Sequence, residues 1–198
     1  MSHSDELQNL VNFLFEVGVL AKTPRSGFHF LGSGEQSVAE HINRVSYIGL
    51  VLAKLEPRAD ELKVLKMCLM HDLPEARTSD LNYVHQKYAE AKPMKAVDDL
   101  DKSLPFGGEI KELIEEYEER KVLEAQLAKD ADQLEWMMAL KEQYDIGNER
   151  AKDWMEIAQK RLKTEAARRL SDVVLDTDSN AWWFSDKNDK WWVSRNKE

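Results

Sequence analysis

The sequence has few of the features that mark disulfide-bonded or membrane-embedded proteins. Its 198 residues include one cysteine, Cys68, so an intrachain disulfide is excluded and a reducing compartment is favoured. No apolar run approaches the roughly 20 residues that span a bilayer, and no basic region followed by an apolar core stands at the N-terminus. These absences predict a cytoplasmic protein that does not enter a membrane.

Basic residues are also scarce. Lys and Arg number 28 against 37 Asp and Glu, which gives a formal net charge of -9. Binding to a nucleic-acid backbone requires clustered Lys and Arg, so we expect no nucleic-acid polymer as a partner. A small anionic substrate stays compatible with this charge, because a metal ion or a few local arginines can bind a phosphate.

Glycine and proline are few as well, with eight and five residues, and this predicts long helices. The apolar positions support an all-α fold, since they recur at spacings of three and four. In the first predicted helix, which ends near Gly18, one buried face would hold Leu7, Leu10, Val11, Leu14 and Phe15. Ser37 and Glu40 form a capping-box pattern that opens a second helix, and Pro74 places a helix boundary just after Asp72.

Helical patterns continue through the second half of the chain. Residues 109–145 predict one long helix or two, and residues 149–175 predict a last helix. Four of the six tryptophans follow, as two adjacent pairs around SDKNDK. We therefore divide the chain into a domain of residues 1–175 and a Trp-rich tail of residues 176–198. The tail would be a hairpin or strap packed on the domain, or alternatively a dimer contact or a lid.

Three predicted helices carry polar groups at positions where the core is expected. His41 lies on the apolar stripe of the second helix, His71 and Asp72 end the third, and Asp132 lies beside Ala131 in KDADQLE. Burying an imidazole or a carboxylate costs several kcal/mol unless it is paired or bound to a metal. Two nitrogen and two oxygen ligands suit Mn, Fe, Co, Ni or Zn better than Ca. For His41 alone, the competing interpretation is a hydrogen-bonded core histidine.

The order of these residues resembles the HD-domain metal-dependent phosphohydrolase superfamily, in which a His, a His-Asp pair and a later Asp follow one another. Within it, the sequence is similar to the 5′-deoxynucleotidase branch over roughly residues 5–170. The similarity lies in four stretches of this sequence: PRSGF (24–28), SVAEH (37–41), HDLPEARTSDL (71–81) and KDADQLE (129–135).

The resemblance implies an all-α HD-domain bundle with a central metal cleft, and it implies roles for single residues. His41, His71, Asp72 and Asp132 would bind one divalent transition metal, which would polarise the phosphate and activate a water. Glu75 would be the general acid or base. Asp80 would orient the water, bind the sugar 3′-hydroxyl or act as the acid, and its competing interpretation is a helix cap. The expected substrate contacts are Arg25, Phe28 and Arg77. Arg25 would face the phosphate or help to sense the sugar, Arg25 and Phe28 would help to exclude a ribose 2′-hydroxyl, and Arg77 is a phosphate candidate.

The expected function is therefore hydrolysis of deoxyribonucleoside 5′-monophosphates, a class of small nucleotide, by a metal-dependent phosphomonoesterase. Related chains imply a homodimer. Two alternatives stay open. One is another phosphohydrolase of the superfamily, either a phosphodiesterase or a nucleoside triphosphohydrolase. The other is a non-catalytic metal-bound scaffold that uses the Trp-rich tail as a partner surface.

Overall fold

The computed structural model describes residues 3–195, and within that range it contains twelve α-helices, two 3-10 turns and no strand. The all-α prediction is confirmed. None of the helices of this range combines the length and the apolar composition needed to cross a membrane. The helices are α1 (His3–Val17), α2 (Phe28–Leu31), α3 (Val38–Leu55), α4 (Glu61–Met70), α5 (Glu75–Thr78), α6 (Pro93–Ser103), α7 (Gly107–Glu119), α8 (Leu123–Asp145), α9 (Arg150–Arg161), α10 (Glu165–Asp176), α11 (Ala181–Phe184) and α12 (Lys190–Ser194).

Helix α8 is the centre of the bundle. Helices α3, α4, α7, α9 and α10 all pack against it. Its buried residues are spread around its circumference rather than along one stripe, as is typical of a helix that is enclosed on most sides. They include Leu127, Ala131, Leu134 and Met137, which join the largest apolar cluster of the described chain. A polar side chain on α8 is therefore held inside the protein unless it opens into a cleft.

The start of α3 is fixed by the predicted capping box. Ser37 Oγ accepts a hydrogen bond from Glu40 N at 3.2 Å, and the Glu40 side chain accepts one from Ser37 N at 2.6 Å. The preceding loop is tied to the same helix end, because Val38 N donates to Thr23 O and Pro24 forms a β-bridge with Ser37. This anchoring places Arg25 close to the first turns of α3.

Helix α4 ends where Pro74 predicts a boundary. Its start is capped by Asp60, whose carboxylate accepts the backbone N–H groups of Leu62 and Lys63. The α-helix stops at Met70, and the chain passes through turns into the short helix α5. His71 and Asp72 therefore lie at a change of direction, which lets neighbouring side chains reach one point.

The predicted buried face of α1 is wrong at four of its five positions. Leu14 is 67% exposed and Phe15 is 76% exposed, and Leu7 and Val11 are exposed too. The helix instead packs through Leu10 and Phe13. The inward face is set by what α1 meets, which includes the ring of Phe106 at 5.8 Å from that of Phe13.

The single helix predicted over residues 149–175 is two helices, whereas residues 109–145 form the predicted pair α7 and α8. The break between α9 and α10 is caused by Asp130, a buried residue of α8. Its carboxylate accepts hydrogen bonds from Lys163 N, Thr164 N and Thr164 Oγ at 2.7–3.2 Å. Thr164 in turn caps α10 by accepting from Ala167 N. No local signal in the sequence reveals a partner more than 30 residues away.

The described part of the Trp-rich tail is helical and contains no strand, so the hairpin alternative is not supported. Helices α11 and α12 face each other through aromatic rings, with 5.5 Å between the centroids of Trp183 and Trp192. The start of the tail is hydrogen-bonded to the C-terminal end of α8, where Asp145 accepts a hydrogen bond from Ser179 N at 2.8 Å.

We predict that Asp130→Ala lowers the free energy of unfolding by about 1–3 kcal/mol, because it removes the acceptor of three part-buried donors at the α9–α10 junction. Chemical denaturation monitored by far-UV circular dichroism measures this change. Glu156→Ala is the matched control, since it removes an exposed acidic residue of α9. Equal stability of the two variants would contradict the role given to Asp130.

Candidate metal centre and substrate cleft

The four predicted metal ligands converge at one point, although they come from three parts of the chain. His41 lies on α3, His71 and Asp72 follow α4, and Asp132 lies on α8. Asp72 Oδ2 is 3.4 Å from His41 Nε2 and 3.2 Å from His71 Nε2. Asp132 Oδ1 is 3.3 Å from His41 Nε2. Ligand atoms of His41, His71 and Asp132 all lie within 4.8 Å of one another.

The hydrogen bonds of the two histidines fix which nitrogen faces this point. His41 Nδ1 is 2.5 Å from Glu135 Oε2, and His71 Nδ1 is 2.8 Å from the carbonyl oxygen of Cys68. Each Nδ1–H can donate to an acceptor, which leaves a lone pair on each Nε2. Both Nε2 atoms are buried and have no hydrogen-bond partner.

Two buried nitrogen lone pairs that face two carboxylates are the environment in which a divalent metal replaces missing hydrogen bonds. The residues present therefore fit the metal site that the sequence predicts.

The comparison with protein families agrees with this geometry. The family model described as "HD domain" matches residues 17–174, which is most of the chain. The chain belongs to the HD-domain family.

Two relatives with HD-like sequences illustrate the similarity. The protein named 5′-deoxynucleotidase HDDC2 from Bos taurus is 28% identical over 182 residues, which cover 87% of this chain and 88% of the relative. The protein of the same name from Dictyostelium discoideum is 30% identical over 145 residues, which cover 67% of this chain and 76% of the relative.

Solved structures support the HD-domain fold. A conserved hypothetical protein from Pyrococcus furiosus aligns with a TM-score of 0.70 at 33% identity, covering 84% of this chain and 97% of that one. A predicted metal-dependent phosphohydrolase from Magnetospirillum magnetotacticum aligns with a TM-score of 0.69, covering 87% and 94% of the two chains. At 21% identity, the second likeness concerns the fold alone.

Two carboxylates of the HD-domain centre stay ionised because of their neighbours. Burial alone would raise the pKa of Asp72, but His71, His41 and Arg25 outweigh it and hold this pKa well below its usual range. The pKa of Asp132 is lowered in the same way against burial, chiefly by the Lys129 ammonium. Lys129 Nζ donates to Asp132 Oδ2 at 2.7 Å and to the Tyr117 hydroxyl at 3.1 Å.

Glu75 and Asp80 lie beside the centre and differ in their hydrogen bonding. Burial, together with the Asp72 and Asp80 carboxylates, raises the pKa of Glu75 to about 9, and its Oε2 is buried without a hydrogen-bond partner. Asp80 is held by the loop before α2, because its Oδ2 accepts Ser26 N at 3.0 Å and its carbonyl oxygen accepts Ser26 Oγ at 2.7 Å. In this environment Glu75 keeps its proton near neutral pH, and Asp80 has a fixed orientation.

Arg25 is the predicted substrate residue that reaches this site. Its Nη1 is 3.4 Å from Asp72 Oδ2 and 3.8 Å from Asp80 Oδ2. Its backbone N–H donates to Gln36 O at 2.8 Å, so its main chain is fixed to the residue before the α3 capping box. A guanidinium in this place offers several N–H donors to a phosphate.

The other two predicted substrate residues lie elsewhere. The ring of Phe28 is buried in an apolar cluster behind the cleft, where its centroid is 5.2 Å from that of Trp136. Arg77 turns away and binds Glu16 of α1 through two bonds of 2.5 and 2.7 Å, with Asp99 at 3.7 Å. Phe28 therefore supports the wall of the cleft, and Arg77 joins α5 to α1. The direct contacts predicted for these two residues are not supported.

The metal-ligand residues open into a cleft of about 770 Å³. Arg25, Glu75 and Asp80 line it together with residues of α8 and α9. The lining residues are Arg25, Gly27, Asp72, Glu75, Asp80, Asn82, Tyr83, Gln86, Lys129, Asp132, Gln133, Trp136, Trp154, Ile157, Ala158 and Arg161.

Glu135 is the most buried functional group that the sequence prediction missed. Besides His41, its carboxylate accepts hydrogen bonds from Arg44 at 2.8 and 3.0 Å and from Gln36 at 2.6 Å. Burial would raise the pKa of Glu135, but its bond with His41 and the charge of Arg44 lower it. One signal was available, because Glu135 lies three residues after Asp132 and Arg44 lies three after His41, each on the ligand's helix face.

We predict that Glu135→Gln lowers the affinity for Mn or Co by about 10–100-fold, because the charged acceptor that orients His41 is lost. Competition against a fluorescent chelator measures this affinity. Glu142→Gln is the matched control, since Glu142 also binds Arg44 but does not contact His41. Wild-type affinity in a folded Glu135→Gln protein would rule out this role.

The raised pKa of Glu75 predicts an effect on stability in the metal-stripped protein. Between about pH 5 and 9 the unfolded chain ionises Glu75 while the folded chain keeps it protonated, so this group's stabilisation falls as pH rises. Glutamine stays neutral and removes that dependence. We expect the melting temperature of Glu75→Gln minus that of wild type to rise by about 5–10 °C from pH 6 to pH 8, because one proton of linkage over two pH units is worth about 2.7 kcal/mol. Scanning calorimetry of both proteins at the two pH values measures it, and a constant difference would contradict the prediction.

Proposed function

We propose that this chain is a metal-dependent phosphohydrolase that converts deoxyribonucleoside 5′-monophosphates to nucleoside and phosphate. The observation that carries the proposal is the pair of buried Nε2 atoms of His41 and His71, which face two carboxylates at the floor of an open cleft. The names of the relatives from Bos taurus and Dictyostelium discoideum support the substrate class.

In this proposal His41, His71, Asp72 and Asp132 hold one divalent cation. The donor set of two nitrogens and two oxygens accepts Mn, Co, Fe, Ni or Zn. Such a cation supplies Lewis acidity, which polarises a phosphoryl oxygen and lowers the pKa of a coordinated water.

The side chains around the centre bind the substrate and move protons. Arg25 binds the phosphate, and its position between Asp72 and Asp80 keeps its charge at the centre. The leaving 5′-oxygen needs one proton when its bond to phosphorus breaks. Glu75, whose pKa in the metal-free protein is raised by burial and by the Asp72 and Asp80 carboxylates, is the group that donates this proton. Asp80, oriented by Ser26, accepts a hydrogen bond from the attacking water or from the sugar 3′-hydroxyl.

The alternatives differ from this proposal in charge and in chemistry. A nucleoside triphosphohydrolase must bind several more phosphate charges, yet the cleft has only three basic lining residues, Arg25, Lys129 and Arg161. This count favours a monophosphate. A non-catalytic scaffold would bind metal without needing the proton of Glu75, so a variant of Glu75 separates it from an enzyme.

The proposal includes four further features that the sequence predicts. They are the homodimer, the cytoplasmic location, the absence of a nucleic-acid polymer as partner, and the division into a domain of residues 1–175 and a tail of residues 176–198. The ring contacts between α11 and α12 support a tail with its own aromatic cluster.

We predict that the purified protein with Mn or Co releases phosphate from deoxyribonucleoside 5′-monophosphates faster than from ribonucleotides or triphosphates. Phosphate release across a substrate panel measures this preference. Asp72→Ala should reduce release to background because a ligand is lost. Glu75→Gln should reduce kcat by about 10²–10⁴-fold while metal content is retained, since only the proton donor is removed.

Two outcomes would contradict the proposal. If the metal-loaded protein releases no phosphate from any deoxynucleotide, the nucleotidase activity is excluded and the non-catalytic scaffold is favoured. Full activity in Glu75→Gln would exclude Glu75 as the proton donor.

A further inference from the structure

We infer that the α8–α9 side of the cleft is a binding wall for the nucleobase, formed by Trp136, Trp154 and Ile157. This inference rests on the proposed function and adds to it a group of specificity-determining residues that do not touch the phosphate.

Phosphate hydrolysis uses the part of the cleft beside the metal-ligand residues. Arg25, Asp72, Glu75 and Asp80 line this part together with Asp132 of α8. The other part presents large apolar side chains to the same space, including Ile157, which is 51% exposed. Apolar surface that lines a cleft marks the part of a ligand that is itself apolar. A nucleoside monophosphate has this division, with a charged phosphate at one end and a flat aromatic base at the other.

Trp136 is positioned before any ligand binds. The Phe28 ring contacts it edge-on, with 5.2 Å between centroids and 87° between ring planes. The Trp154 ring also packs against Trp136, with 6.2 Å between the ring centroids. Gly27 also borders it, since a Cβ atom there would lie 3.3 Å from Trp136 Cη2. A ring that is already held in place loses little conformational freedom when a base stacks on it.

The wall lies at the right place relative to the metal-ligand residues. Asp132 and Trp136 are four residues apart on α8, so they share a helix face and are separated by about 6 Å along its axis. Gln133 lies between them, donating to Asp132 Oδ2 at 3.2 Å and accepting from Arg161 at 3.4 Å. One sugar ring bridges such a separation, which puts the base against Trp136 and α9.

The test compares two substrates that share the phosphate and the deoxyribose, of which the first carries a base and the second carries a hydroxyl group in its place. These are deoxyadenosine 5′-monophosphate and 2-deoxyribose 5-phosphate. In Trp154→Ala we expect the ratio of their kcat/KM values to fall about tenfold or more, because base–aromatic stacking is lost. Trp154→Phe should restore most of the ratio. Ile157→Glu, a change at an exposed position that is compatible with folding, should also lower it.

Lys160→Ala is the matched control, since Lys160 is an exposed residue of α9 that does not line the cleft. A wild-type ratio in both Trp154→Ala and Ile157→Glu would overturn the base wall and leave the nucleotidase activity intact.

A binding measurement keeps the two proposals separate. Deoxyadenosine has no phosphate, so its affinity for the metal-stripped protein does not depend on catalysis, and the change in affinity caused by Trp154→Ala reports on the wall. We expect calorimetric titration to show binding that weakens at least fivefold in Trp154→Ala and is unchanged in Lys160→Ala. If no substrate releases phosphate, the proposed function fails, and this titration alone decides the wall. Equal affinity of wild type and Trp154→Ala, or no binding to either, overturns it.

Discussion

The hydrogen bond between His41 Nδ1 and Glu135 Oε2 joins α3 to α8 and orients the imidazole in one contact. Both residues are completely buried. Arg44 and Gln36 complete the acceptor capacity of the Glu135 carboxylate, so the buried charge is paired. The packing of the two central helices and the direction of the His41 lone pair therefore depend on the same group. A change at Glu135 would disturb the bundle and the metal centre together.

Much of the fold and the centre of the site could be predicted because the signals are local. The capping box at Ser37 is decided within four residues, and the stop of α4 before Pro74 is decided by backbone geometry. His41 and Asp132 could be identified because polar groups at core positions of helices need a partner. The order of these residues along the chain carries the resemblance to HD-domain proteins, and the resemblance implies the ligand set.

The rest could not be predicted because it depends on contacts between distant segments. The inward face of α1 is chosen by its neighbours, and Arg77 is directed to Glu16 by that same packing. Asp130 and Asp132 are two residues apart with similar surroundings in sequence, yet one holds the α9–α10 junction and the other faces the histidines. Phe28 was predicted to touch substrate, but it supports Trp136 from behind.

The distance along the chain between His41 and Glu135, 94 residues, has a consequence for biosynthesis. A nascent chain that has emerged only through α5 already contains His41, His71 and Asp72, but neither Asp132 nor Glu135. Since α8 supplies both of these and is the centre of the bundle, the ion-binding geometry forms only after the ribosome has released α8. Premature metal capture by an unfinished chain is thereby limited to an incomplete ligand set. The ligand set is therefore complete once α8 has been synthesised, before the helices α9 to α12 that follow it.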